Sequence, residues 1–229
     1  MEICVTTDFF LEQLKEKVSQ KEKKRLRVML SIEETLWAQG FSRIAGTDEA
    51  GRGPLAGPLV AAAAVLKFPI PGLNDSKKLS EARREVLYEQ ILAEGHAIGV
   101  AIKSANDIDQ HGIQHSNMSA MLEAVNILPE PPDFILVDGY NLIGLSQPVM
   151  RVIKGDARSL NIAAASIVAK VTHDRLLLKI DECYPGYGFT RNKGYGTREH
   201  LEAIKTLGPC PEHRMSFAPL AKKKIHRPY

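Results

Sequence analysis

The segment Leu59-Val60-Ala61-Ala62-Ala63-Ala64-Val65-Leu66 restricts the fold of this chain more than any other feature. A strand with one face in water alternates apolar and polar residues. A run that is apolar at every position therefore belongs to a strand covered on both faces. It is also the longest unbroken apolar run in the 229 residues, far short of the ~18 that would suggest a membrane span.

The surrounding sequence supplies other elements of the same kind. RIAGTD reads as a strand that enters the glycine-rich turn EAGRGPLAG, and HAIGVAIK, DFILVDG and PVMRVIKGD read as three more strands. Ser80 can cap a helix with Ala82, Val86, Leu87 and Ile91 on one face, ended by Gly95. Further helices are predicted over Gln114–Leu128, Leu160–Cys183 and Thr197–Leu207, followed by the basic tail KKKIHRPY. Strands in succession, then alternating with helices, predict an α/β fold: a mixed five-stranded sheet with helices on both faces. Residues 1–42 differ, with Phe10, Leu14, Val18, Leu26, Leu30 and Trp37 at near-helical spacing and no glycine before Gly40. They are expected to form a helical N-terminal extension that docks on the main domain, 43–229, or on a partner.

Composition excludes some classes. With 44% hydrophobic and 25% charged residues, neither wholesale disorder nor a fibrous repeat fits. Three scattered cysteines, Cys4, Cys183 and Cys210, make no disulfide framework. With no basic start leading into an apolar stretch, this favours a reducing cytoplasm. A net charge of +3 permits a polyanionic partner.

Four carboxylates occupy strand-end positions instead of ordinary surface sites. Asp48 and Glu49 end the first strand at the glycine turn, Asp138 ends FILV, and Asp156 follows VIKG at the end of the fifth strand. Strand carboxyl ends facing a crevice are a usual place for a site. Carboxylates clustered there repel one another unless hard cations compensate. An all-oxygen set suits Mg²⁺ or Mn²⁺, and two such ions form the clamp used for in-line attack on phosphate esters. GRGPLAGP has neither the spacing nor the following helix of a dinucleotide fingerprint, and no Lys-Ser/Thr follows as in a P-loop. It leaves bare backbone beside an acidic pair. A second ligand surface is basic and aromatic: Lys77, Lys78, Lys170, Arg175, Arg191, Lys193 and Arg198 with Tyr184, Tyr187, Phe189 and Tyr195. His111/His115 and Cys210-x-x-His213 each make only part of a zinc site and are rejected.

GTDEAGRGPLAGPLVAAAAVL, NDSKKLS, ILVDG, KGDARSLNIAAASIVAKVTHDR, NKGYGT and HRMSFAP, in this order from about Arg43 to Pro219, resemble the ribonuclease HII family, the bacterial type 2 ribonucleases H. The resemblance implies a ribonuclease H-like fold. It also implies endonucleolytic cleavage of RNA in RNA–DNA hybrids and incision 5′ of single ribonucleotides in duplex DNA, the chemistry of ribonucleotide excision repair, leaving 3′-hydroxyl and 5′-phosphate ends. Carried over by motif, Asp48, Glu49, Asp138 and Asp156 would be the catalytic ligands of two Mg²⁺ or Mn²⁺ ions, with Asp48 bridging. Gly51, Arg52 and Gly53 would contact the ribose 2′-hydroxyl, Tyr195 the sugar at the RNA–DNA junction, and Lys77 and Lys78 phosphates. A monomer without membrane association is expected. Two departures stand out: His173 where the family often has arginine, and IDQHGI in place of IDxxNI, which puts local helix geometry in question. The type 3 enzymes are the nearest rival, but GRGPLAG, KGYGT and the short N-terminal segment favour type 2. A non-catalytic nucleic-acid-binding module would need none of the four carboxylates.

Overall fold

The computed structural model describes residues 6–14, 17–93 and 95–221; Cys4 and the tail KKKIHRPY lie outside them. Helices α1 (Thr7–Glu12), α2 (Gln20–Met29) and α3 (Ser31–Ala38) precede strands β1 (Ile44–Ala50) and β2 (Leu59–Val65). Next come α4 (Glu81–Ala93), β3 (Ala97–Lys103), α5 (Ala105–His111), α6 (Ile113–Asn126), β4 (Phe134–Asp138) and β5 (Val149–Val152). The chain closes with α7 (Leu160–Cys183), α8 (Phe189–Asn192) and α9 (Arg198–Leu207).

The strands form one five-stranded sheet in the order β3-β2-β1-β4-β5. β1 is antiparallel to β2 and β2 to β3, whereas β1, β4 and β5 run parallel. This is the mixed sheet expected, and the apolar run is why it is covered twice. Val60, Ala62 and Ala64 pack on one face against α7 residues such as Ile162 and Ala165, while Leu59, Ala61 and Ala63 pack on the other against Met121 and Ala124 of α6. The small side chains let helices approach closely. At Gly46 of β1 an added methyl carbon would lie 2.2 Å from the Ile162 nitrogen of α7, so the long helix rests directly on the central strand.

The N-terminal helices join the core on the α7 face, where Phe10, Leu26, Leu30, Leu36 and Trp37 are buried among sheet and helix residues. Glu33 of α3 is fully buried, and its Oε1 accepts a 2.6 Å hydrogen bond from Ser159 Oγ. Ser159 also caps α7 by accepting from the Ile162 amide at 3.2 Å. Burial pushes the Glu33 carboxyl up to about 7 against the hydrogen bond from Ser159.

Local features also differ from the reading of the sequence, which places no helix where α8 stands. An extra helix, α5, precedes the one predicted from Gln114. The Ser104–Asp107 capping box starts it and Gly112, at φ +81°, ends it. The fifth strand stops at Val152, so Asp156 lies in the 3₁₀ turn Gly155–Ala157. The departure from the strand is made at Lys154, at φ +56°.

Candidate active site

β1 and β4 are adjacent and parallel, with Thr47 paired to Val137, so the next residues along, Asp48 and Asp138, leave the same end of the sheet. Asp48 is paired with Ala62 and looks toward α7, as that alanine does. It is only 7% exposed, and its Oδ1 accepts from the Glu49 amide at 2.7 Å. Asp138 Oδ1 accepts from the Gly155 amide at 2.6 Å, which ties the end of β4 to the turn carrying Asp156. Ser166 of α7 lies beside Asp48, where it opposes the rise of the carboxyl, and shares a 2.9 Å hydrogen bond with the Ser76 hydroxyl.

A cavity of about 290 Å³ opens there, lined by Asp48, Glu49, Gly51, Arg52, Gly53 and Lys77 together with Ser76, Ser166, Lys170, His173 and Tyr195. Asp138 and Asp156 are not part of its lining but are close enough to act on it electrostatically. Burial, then the Glu49 and Asp138 charges, hold the Asp48 carboxyl well above the usual range. Burial carries Glu49 up to about 7, with Asp138 adding to the shift and Arg52 opposing it. Asp156 is raised by burial and then by Asp75 and Asp138. Lys77 is the counter-charge: burial alone would lower its ammonium, but Asp48, Asp156, Asp75 and Asp138 together raise it. Lys78 is separated from Lys77, being exposed and paired with Asp75 at 3.5 Å.

The four carboxylates are not a closed cage. Among the described residues no three Asp, Glu, His or Cys side chains converge as ion ligands. Mutual repulsion and the backbone amides that hold Asp48 and Asp138 account for the open arrangement. The donor set nonetheless fits a hard cation. Every ligand atom is oxygen, and Glu49 Oε2 is buried with no hydrogen-bond partner, the kind of group a bound ion satisfies.

The glycine turn is shaped from below. Gly51, at φ +89°, has His173 and the Pro58 carbonyl within 2.6 Å of where a Cβ would stand, so only glycine fits. The buried Arg214 guanidinium donates to the carbonyls of Gly51 (2.6 Å), Arg52 (3.1 Å), Gly57 (2.9 Å) and Pro58 (3.0 Å). The Arg52 and Gly53 amides meet no protein acceptor among the described residues. The Tyr195 ring stands over Gly53, its Cε1 3.2 Å from where a Cβ would be.

The basic and aromatic surface is only partly as expected. Tyr195 is 48% exposed, but Tyr187 and Phe189 are buried, their rings stacked at 5.3 Å beside His200 and His213. They are core residues, not ligand-facing ones. Arg175 is engaged by Glu85 and Glu89, and Arg191 by Glu199. Sequence reasoning missed Asp75, whose charge helps to raise Asp156, and the roles of Arg214 and of His173. His173 is buried with Nδ1 3.0 Å from Asp174 Oδ1. The NDSKKLS and HRMSF segments were visible as motifs, but nothing in their composition says what they touch. The His111 and His115 rings lie 5.6 Å apart, tilted by 48°, with a helix break between them at Gly112.

Comparison with known proteins agrees with this fold. Residues 45–220 match the family model described as Ribonuclease HII. A ribonuclease HII of Listeria monocytogenes is 48% identical over 224 residues, covering 94% of this chain and 85% of the relative. The crystal structure of ribonuclease H2 from Pyrococcus horikoshii OT3 superposes with a TM-score of 0.66 at 28% identity, over 78% of this chain and 95% of that one. Bst-RNase HIII, solved in complex with Mn²⁺, shares the fold at 20% identity, with a TM-score of 0.57 over 78% of this chain and 68% of its own. A family model matched over residues 45–220 and a relative 48% identical over 94% of the chain mean that the chain belongs to the ribonuclease HII family, endonucleases of the ribonuclease H type that act on RNA-containing nucleic acid.

Proposed function

We propose that this ribonuclease H cleaves the RNA strand of RNA–DNA hybrids and incises duplex DNA 5′ of a single embedded ribonucleotide. In the hydrolysis, water attacks the phosphorus and the bond to the preceding O3′ breaks. The products are a 3′-hydroxyl on the preceding nucleotide and a 5′-phosphate on the ribonucleotide. Two divalent cations, Mg²⁺ or Mn²⁺, held by Asp48, Glu49, Asp138 and Asp156, would supply charge stabilisation for the attacking and leaving oxygens.

The residues of the chain account for the rest. Burial and crowding make Asp48, Glu49 and Asp156 costly to ionise without compensation, which favours cation binding with displacement of protons. Lys77 supplies part of that compensation in the free protein. The unpaired Arg52 and Gly53 amides, with the turn carbonyls occupied by Arg214, are free to meet the ribose 2′-hydroxyl. The Tyr195 ring over Gly53 would lie against the deoxyribose that follows. Lys78, exposed beside the cavity, would meet a phosphate. The chain acts as a monomer in this reading.

The observation that carries the proposal is the juxtaposition of the buried Asp48 and half-buried Glu49 with the bare glycine turn and the exposed Tyr195 around one cavity. A DNA duplex with one ribonucleotide, incubated with Mg²⁺, with Mn²⁺ and with chelator, tests it. Incision 5′ of the ribonucleotide in either metal and none in chelator is expected. Cleavage only of long hybrids, or metal-independent binding without cleavage, would overturn it.

A further inference from the structure

Beneath the Tyr195 loop lies a buried histidine pair that the proposed chemistry does not use. His200, in the first turn of α9, and His213 are 0% and 2% exposed. Their Nε2 atoms are 3.0 Å apart. On the outer sides, His200 Nδ1 lies 2.9 Å from the Tyr195 carbonyl oxygen, and His213 Nδ1 lies 3.0 Å from the Cys210 amide nitrogen. Burial lowers the pKa of both rings, that of His213 to about 4, so both are neutral at neutral pH.

With neutral rings these contacts admit one proton arrangement. A carbonyl only accepts, so His200 carries its hydrogen on Nδ1. Its Nε2 is then bare, and His213 must donate to it from Nε2. His213 Nδ1 is left bare and accepts from the Cys210 amide. The reverse order would set a lone pair of His200 against the Tyr195 carbonyl oxygen and leave that buried contact repulsive. The donors therefore run in one direction, from the Cys210 amide through both imidazoles to Tyr195.

The relay ends at the element that needs placing. Tyr195 stands between Gly194 and Gly196, residues that contribute no side chain to hold it. Its ring height over Gly53 depends on its backbone. The residue after His213 is Arg214, which clamps the Gly51 and Arg52 carbonyls. One dipeptide thus reaches both sides of the gap between ring and turn. We infer that His213 and His200 are positioning residues that fix Tyr195 at its working distance from the glycine turn, and so set ribonucleotide recognition. The inference rests on the reading of Tyr195 as the ring that meets the junction sugar.

Two measurements on the full chain test it. In ¹⁵N-histidine NMR at neutral pH, His200 should appear as the Nδ1–H tautomer and His213 as the Nε2–H tautomer; His200 protonated on Nε2 instead would overturn the relay. In kinetics, His200→Phe should lower kcat/KM on a single embedded ribonucleotide about as much as Tyr195→Ala, roughly 5- to 150-fold on the usual worth of aromatic stacking. In the Tyr195→Ala background the same change should cost less than about twofold, because coupled residues are not additive. His200→Asn, which keeps an amide donor at the Nδ1 position, should recover most of the loss. Equal losses in both backgrounds, with Asn no better than Phe, would reduce the pair to general structural support. A Tyr195→Ala variant that loses equally on junction and hybrid substrates would sink the junction reading alone, since the coupling between His200 and Tyr195 is still read from the double variant.

Discussion

The carboxylate end of β1 and the strap that carries His213 and Arg214 border the same cavity, yet they are built on opposite principles. At the carboxylate end, buried charges crowd without full compensation: Asp48, Glu49 and Asp156 are all raised, and Glu49 Oε2 has no partner. Along the strap the buried polar groups are saturated, with Arg214 donating to four carbonyls and both histidines closed into a chain. On the proposed function, stability is given up where charge must remain available to a cation. Along the strap, where shape is needed, the Arg214 guanidinium and the nitrogens of both histidines are used.

The largest effect is expected at the first region. Asp48→Asn should cut turnover by about 10³-fold or more, because residues acting as one unit fail together. It should also raise the melting temperature in chelator by removing a buried, repelled charge. Retention of a tenth of the activity at saturating metal, or a lower melting temperature, would break the contrast. The second region should respond in the opposite sense. Arg214→Met strands four carbonyls around an apolar chain and should cost about 3 kcal/mol or more in urea unfolding. A loss below ~1 kcal/mol would mean that water replaces the guanidinium at little cost.

Smaller effects sharpen the comparison. Tyr195→Ala should lower kcat/KM on a single embedded ribonucleotide by roughly 5- to 150-fold. Tyr195→Phe should lose less, because it keeps the ring, and the alanine penalty should shrink on long hybrids. Glu33 provides a buried carboxyl remote from the cavity. Its pKa, raised from the ordinary 4.5 to about 7 by burial, means that the folded protein binds more protons than the unfolded one in that window. Stability should therefore fall as pH rises from 4.5 to about 7 and level off above. Glu33→Gln, which retains an oxygen for Ser159, should flatten this slope in a series of thermal melts while leaving activity nearly unchanged. An unchanged slope would show that Glu33 titrates normally.

Much of the architecture was legible because one physical demand repeats along the chain. A strand covered on both faces must be apolar at every position, and that is why Leu59–Val65 and Phe134–Val137 read as sheet centre. Asp48, Glu49 and Asp138 were legible as the polar residues at which such strands end. The short helix α5 was missed because its signal is only Ser104, Asp107 and Gly112 within a few residues. Tyr187 and Phe189 were misread because an aromatic ring among lysines and arginines looks the same in sequence whether it faces ligand or core.

By itself, then, the sequence determined the layered α/β plan, the family, and the carboxylates at the strand ends, since local pattern and motif carry all three. Only the tertiary structure decided that Lys77 and not Lys78 enters the cavity, that Asp75 acts on Asp156, that Glu33 holds the start of α7, and that the His213-Arg214 dipeptide reaches both Tyr195 and the glycine turn. The Arg214 bond to Gly51 spans 163 residues and the Glu33 bond to Ser159 spans 126. Contacts across such separations depend on how the layers pack, and a buried donor finds its acceptor only once the sheet and helices have brought the two together.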